Sequence, residues 1–355
     1  MPKDSPGRIP TLDGIRAVGI ALVIIGHSPN TRPLPNNVLL RSAGDLGVQL
    51  FFILSGFLIT TLLVREHAKR GRISLRDFFV RRAFRIFPAF LVYLAAMGAL
   101  AIAGLIYLPW QEWVLAATYT MNFYTPETWW VGHLWSLAVE EQFYLIWPLT
   151  MVVVGKRRWA TAALVAIVIA PIARGLSAEL LGDIGDVQEH GFPFVFDALA
   201  IGCLLALVRD RLEASPRYLR IVHSYGHYIV MLALSASYIA TSHRPLIAAP
   251  TISLLNIAYA MWIHRLVTNP TSRVGRVLET SPVIWIGTLS YSLYLWQQPF
   301  IDRRGDHWWT MYPIGLLFAL LCACASFYLV EQPVLNWRVR RVARQRVGAT
   351  PTRIA

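Results

Sequence analysis

The sequence predicts an all-α protein: a polytopic transmembrane bundle of about ten helices with both termini in the cytoplasm. Composition, run length and charge placement predict it. Of 355 residues, 55% are hydrophobic and 15% charged, with a mean hydropathy of +0.48. Soluble domains carry about 25% charged residues, and a soluble chain this apolar would have too little polar surface to cover its core. The apolar residues fall in runs of roughly 18–22, each long enough to cross a hydrocarbon layer ~30 Å thick. The net charge is +13, but the basic residues sit in short clusters between apolar runs. That is the positive-inside pattern, so the lipid bilayer is the expected partner and nucleic acid is not.

Taken in order, the runs place spans near residues 11–29, 46–64, 87–108, 133–154, 159–180, 192–208, 220–241, 247–267, 281–300 and 311–333. The first run, Ile15 to Ile25, ends at Gly26-His27-Ser28 and lacks an A-x-A-like cleavage site, so it reads as a retained helix rather than a signal peptide. Segment 65–86 holds eight Lys and Arg residues, and the tail after 334 holds six arginines. Lys156 to Arg158, then Arg209, Arg211, Arg217 and Arg220, then Arg273 and Arg276 fall on the same side. The opposite loops carry only Arg32, Arg41, Arg244, Arg303 and Arg304, which sets the cytoplasmic side; the inner (plasma) membrane is the expected location. No transporter-like repeat or low-complexity linker interrupts the chain. It reads as one membrane domain over 9–336, between a cytoplasmic segment 1–8 and a basic tail 337–355, without an appended soluble enzyme. Cys203, Cys322 and Cys324 lie in apolar stretches without zinc spacing and read as packing residues. The outer loops hold Trp110, Trp113, Trp129, Trp130, Trp308 and Trp309, an interfacial belt or a sugar-stacking platform.

Ionisable groups inside membrane helices cost about 2.5–3.5 kcal/mol each on insertion scales, which makes them functional candidates. In the first span, Arg16 and His27 are eleven residues apart, so they share one stripe of the helix, with a rise of roughly 16 Å between them. The second span runs from Asp45 to Ser55-Gly56-Phe57. Gly56 suits close helix packing, and Ser55 lacks the G-x-S-x-G elbow of a nucleophile. Arg81, Arg82 and Arg85 precede Pro88; on a helix they would gather three guanidiniums suited to phosphate, although taken alone they read first as ordinary positive-inside charge. The fourth span opens His133-Leu134-Trp135-Ser136 and continues to Glu140-Glu141-Gln142-Phe143-Tyr144. Its two adjacent carboxylates sit roughly 10–12 Å inside the helix, at the expected depth of His27. A carboxylate bonded to one imidazole nitrogen would make the other a better base; the alternative is a structural salt bridge, with Arg174 as its partner. Arg174 and Asp197 read as a structural ion pair. In the ninth span, Tyr291, Tyr294 and Gln297 line a passage or hydrogen-bond between helices.

In this order the motifs resemble the acyltransferase-3 family of membrane enzymes. The matching residues are Leu12 to Ala17 with His27 in Arg-x10-His spacing, Phe51 to Phe57, and Arg82 to Arg85 before Pro88. They continue with Trp135 to Tyr144, Tyr291 to Trp296, and Glu331-Gln332-Pro333, so the resemblance covers about residues 9–336. Gln297 departs from it, standing where a histidine is expected in many relatives. The resemblance implies a membrane O-acyltransferase that moves an acyl group, acetyl foremost, to a carbohydrate or glycolipid hydroxyl. It implies no permanently bound cofactor or metal, with acetyl-CoA or another acyl-CoA as donor substrate. Read through the helix geometry, Arg16, Arg81, Arg82 and Arg85 would bind CoA phosphates from the cytoplasm. The pantetheine arm would span the 16 Å or so to His27. His27 would be the general base, oriented by Glu140 or Glu141. Asp45, Ser55, Trp135, Tyr144, Tyr291, Tyr294 and Gln297 are the expected substrate contacts. The rival readings are a polytopic transporter of an anionic or acylated solute and an acyltransferase acting on a small metabolite such as an antibiotic.

Overall fold

The computed structural model describes residues 9–124, 127–180, 190–241, 244–302 and 307–348. Residues 1–8 lie outside them, as do Arg303, Arg304 and the end of the basic tail, which entered the charge count above. The described residues contain helices and no strand.

Ten helical segments follow the expected spans: α1 Pro10–His27, α2 Val38–Arg70, α3 Leu75–Ile102, α4 Leu134–Val154 and α5 Trp159–Leu180. Next come α6 Phe192–Glu213, α7 Gly226–Thr241, α8 Pro245–Thr268 and α9 Ser281–Trp296. The last, α10, is α-helical over Ile314–Ala325, widens to a π-helix over Ser326–Glu331 and continues as Gln332–Gly348. Eight of these are long and apolar enough to cross a membrane. The remaining two, α7 and α9, have 16 residues each, a rise of about 24 Å. Shorter helices cover Trp110–Ala117, Pro216–Val222 and Arg273–Leu278.

The boundaries differ most around the basic turn. α2 has 33 residues, a rise of about 50 Å against a layer of ~30 Å. Apolarity marks only the part inside lipid, so the charged last turns are invisible to a hydropathy window. Asn37 caps the helix by accepting from Leu39 N and Leu40 N, and Gly71 ends it in the left-handed region at φ 69°. α3 starts at Leu75 rather than near 87, with Ser74 as N-cap, so Arg81 to Arg85 lie on the same helix as the third span. Glu66 ties this turn together, accepting from Ser74 N at 3.1 Å and from Arg81 Nη2 at 2.9 Å.

Close crossings set the packing. A Cβ added to Gly56 of α2 would collide with the carbonyl of Leu199 in α6, and one added to Gly202 would meet the carbonyl of Ile53. Gly56 is thus a packing glycine, and van der Waals contact between bare backbones drives this crossing. α1 runs antiparallel to α2: Gly26 faces Gly44, and Gly19 faces the Phe51 ring. The same register puts Arg16 level with Ser55. Between α5, α6 and α8, Arg174 holds Asp197 through two bonds of 3.0 and 2.8 Å and donates to Ser253 Oγ at 2.6 Å. This is the expected Arg174–Asp197 ion pair.

Candidate active site

The bundle holds a partly open cavity of about 440 Å³. It is lined by α1, α2, α3, α4, α9 and α10, with Arg209 from the end of α6. Along α2 its lining runs from Val48 to Arg65, a rise of about 25 Å. Ile9, Arg65 and Leu335 mark the basic end, where the described chain also begins and ends. Val48, Phe51, Phe52, Ser136 and Tyr294 wall the other end.

Arg16, Arg82 and Arg85 all reach this cavity. Arg16 is held by Asp13 Oδ1 at 2.6 Å, and the Arg82 guanidinium lies 4.7 Å from the centre of the Tyr144 ring. Arg85 is exposed, and its accessible surface faces the cavity. Arg81 does not join them. It sits 100° further round α3 from Arg82, where the Glu66 carboxylate pairs with it. The expected three-arginine cluster is therefore the pair Arg82 and Arg85, completed by Arg16 from α1.

Opposite the arginines lies a carboxylate with its own partners. Ser55 Oγ donates to Glu140 Oε1 at 2.5 Å, and Tyr144 Oη lies 3.3 Å from Glu140 Oε2 and 3.1 Å from Ser55 Oγ. Glu141 lines the cavity without a hydrogen bond or ion pair among the described residues. Tyr291 also lines it, donating to the Ile86 carbonyl at 2.9 Å. Two lining residues that the sequence reading gave no role are Asp13 and Glu331. Asp13 steadies Arg16, and Glu331 accepts from Ser292 at the π-helix. A π-helix within an α-helix often marks a functional position, and charge inside a membrane helix was the available signal for both.

His27 stands outside the cavity lining, at the end of α1. Its Nδ1 lies 3.0 Å from Gln297 Oε1, and its ring meets Trp129 edge-on at 5.6 Å. This corrects the expected pairing: the glutamates sit at the depth of Arg16 and Ser55, and a buried glutamine partners the Nδ1 of His27. An amide oxygen only accepts, so Nδ1 carries the proton in this contact, and in the neutral ring Nε2 would carry the lone pair. Gln297 follows Tyr294 by one helical turn, and Tyr294 lines the cavity. Tyr294 Oη donates to the His133 carbonyl at 2.7 Å and lies 2.5 Å from Ser136 Oγ. Asp45 and Trp135 are not brought to the cavity. Asp45 is exposed near the start of α2, and Trp135 stacks on His190 at 4.0 Å and meets Phe52 edge-on.

The fold and site define a multi-pass membrane protein with an arginine-lined internal cavity and a histidine one turn beyond its far end. A family model described as an acyltransferase domain, that of acyltransferase-3, matches residues 9–329. The chain belongs to this family. It is 29% identical to YrhL of Bacillus subtilis (strain 168), provisionally named a peptidoglycan O-acetyltransferase, across 95% of this chain and 56% of that protein. It is 28% identical to the O-acetyltransferase OatA of Staphylococcus aureus (strain NCTC 8325 / PS 47), across 93% of this chain and 58% of that protein. The chain thus spans little more than half the length of these curated relatives. No solved structure matches it.

Proposed function

We propose that this protein is a membrane O-acetyltransferase that takes an acetyl group from a cytoplasmic acyl-CoA and places it on a carbohydrate hydroxyl at the opposite face. The observation that carries this reading is the alignment of Arg16, Arg82 and Arg85 along one cavity that points toward His27. The arginines suit CoA phosphates, since guanidinium–phosphate contacts are charge-assisted and frequently bidentate. The arm then extends along the cavity toward Tyr294. At the far end His27 Nε2 takes the proton of the acceptor hydroxyl as its oxygen attacks the thioester carbon. The C–S bond breaks, and the departing thiolate of CoA takes up a proton.

The far wall, held by the contact of Tyr294 with Ser136, must part for the thioester and His27 to meet. The names of YrhL and OatA favour acetyl and a cell-wall glycan as the acceptor class. The test is mass spectrometry of surface glycans with and without the gene, together with acceptor-dependent CoA release. Loss of an acetyl mass and CoA release that requires acceptor are expected. Transport of an intact solute without CoA release would replace this reading with the transporter one.

A further inference from the structure

In the resting arrangement, before it parts for transfer, the far wall of the cavity is closed by two packed rings. Phe51 packs on the bare backbone of Gly19, where an added Cβ would lie 3.1 Å from its ring. On its other side Phe51 meets Tyr294 edge-on, with ring centres 6.5 Å apart. Tyr294 has one hydroxyl proton, which goes to the His133 carbonyl, so Ser136 is the donor to its oxygen. Swinging the Tyr294 ring aside breaks both bonds. α1, α2, α4 and α9 therefore meet at a wall of two packed rings, which a donor meets before the wall parts.

A donor whose phosphates rest on Arg16, Arg82 and Arg85 carries its acyl group at its other end, so that group is what reaches this wall. We infer that Phe51 and Tyr294 set the length of the acyl group, admitting acetyl and turning away longer chains. This rests on the acyl-CoA reading above and adds to it the residues that choose among acyl-CoAs. A hydrophobic pocket distinguishes one methylene by about 10–200-fold, and a hexanoyl chain adds four to acetyl.

The test is direct binding of acetyl-CoA, butyryl-CoA and hexanoyl-CoA to the purified full chain in detergent, by calorimetry. The native protein is expected to bind acetyl-CoA at least about tenfold more tightly than hexanoyl-CoA. In Phe51→Ala that ratio should fall toward one. Phe51→Leu, which keeps more of the packing on Gly19, should shift it part of the way, and it serves if the alanine variant fails to fold. Tyr294→Phe keeps the ring but frees it from His133 and Ser136, and is expected to relax discrimination less than Phe51→Ala. Equal binding of all three acyl-CoAs by the native protein would overturn the inference and leave the acyl-CoA reading standing. So would folded Phe51 variants with unchanged ratios. Failure of every acyl-CoA, and of CoA itself, to bind would overturn both.

Discussion

At the residue scale, the proposed chemistry rests on His27 and on Gln297, the partner of its Nδ1. His27→Ala is expected to lower acyl transfer by about 10²–10⁴-fold, the usual worth of a general base, with expression and membrane insertion retained. Transfer within threefold of native would remove His27 from the proton path. Gln297→Leu removes the acceptor at Nδ1 and should lower kcat while leaving KM for the donor near native. A change confined to donor KM would instead place Gln297 on the donor. The sequence made the residue types at this site legible, because a charge inside a membrane helix is expensive enough to stand out. It did not make their partners legible. Depth can be counted along a helix, but the direction a side chain faces depends on how the helices pack. Arg81 and Arg82 are neighbours in sequence, yet one pairs with Glu66 and the other lines the cavity. Gln297 read as a departure from the family pattern, and its place beside His27 emerged only from the crossing of α1 and α9.

At the scale of elements, apolar run length found the ten helices but misplaced the ends that project beyond the lipid. The basic turn between α2 and α3 is the clearest case, since the Asn37 and Ser74 caps, the Gly71 terminus and the Glu66 tie are local features without apolar signal. Crossings were legible only as candidates. Gly56 offered packing as one reading, and the carbonyl of Leu199 lying against it settles that reading. Gly56→Leu should force α2 from α6 and disrupt the wall that carries Ser55. The expected result is loss of monodisperse protein on size exclusion, because overpacking costs typically about 1–3 kcal/mol even where the neighbours can yield. A normal elution profile would show that α6 can move away. The Arg174–Asp197 pair locks α5, α6 and α8 in the same region. Asp197→Ala leaves a guanidinium unpaired and should destabilise the protein by about 3–5 kcal/mol, read as a lowered unfolding temperature in detergent.

At the scale of the whole molecule, the proposed transfer is vectorial, with the donor entering from the basic end and the acceptor at the other. With the proposed orientation, cysteines introduced at the exposed positions Lys69 and Asn30 should label from opposite faces of the membrane, Lys69 from the cytoplasm. Labelling of both from one face would invert or abolish the donor path. The family and the all-helical architecture were legible in the order of motifs along the chain. The cavity was not, because its lining comes from seven helices spread along the chain from α1 to α10. Its donor assignment is the central claim, and Arg81 supplies a built-in control. Binding of acetyl-CoA to the purified chain, compared across Arg81→Ala, Arg82→Ala and Arg85→Ala, tests it most directly. The cavity arginines are predicted to matter and their neighbour not: at least about tenfold weaker binding for Arg82→Ala and Arg85→Ala, as befits lost charge-assisted contacts, and less than threefold for Arg81→Ala. Equal losses at all three positions, or affinity untouched at Arg82 and Arg85, would contradict the claim that this cavity holds the donor.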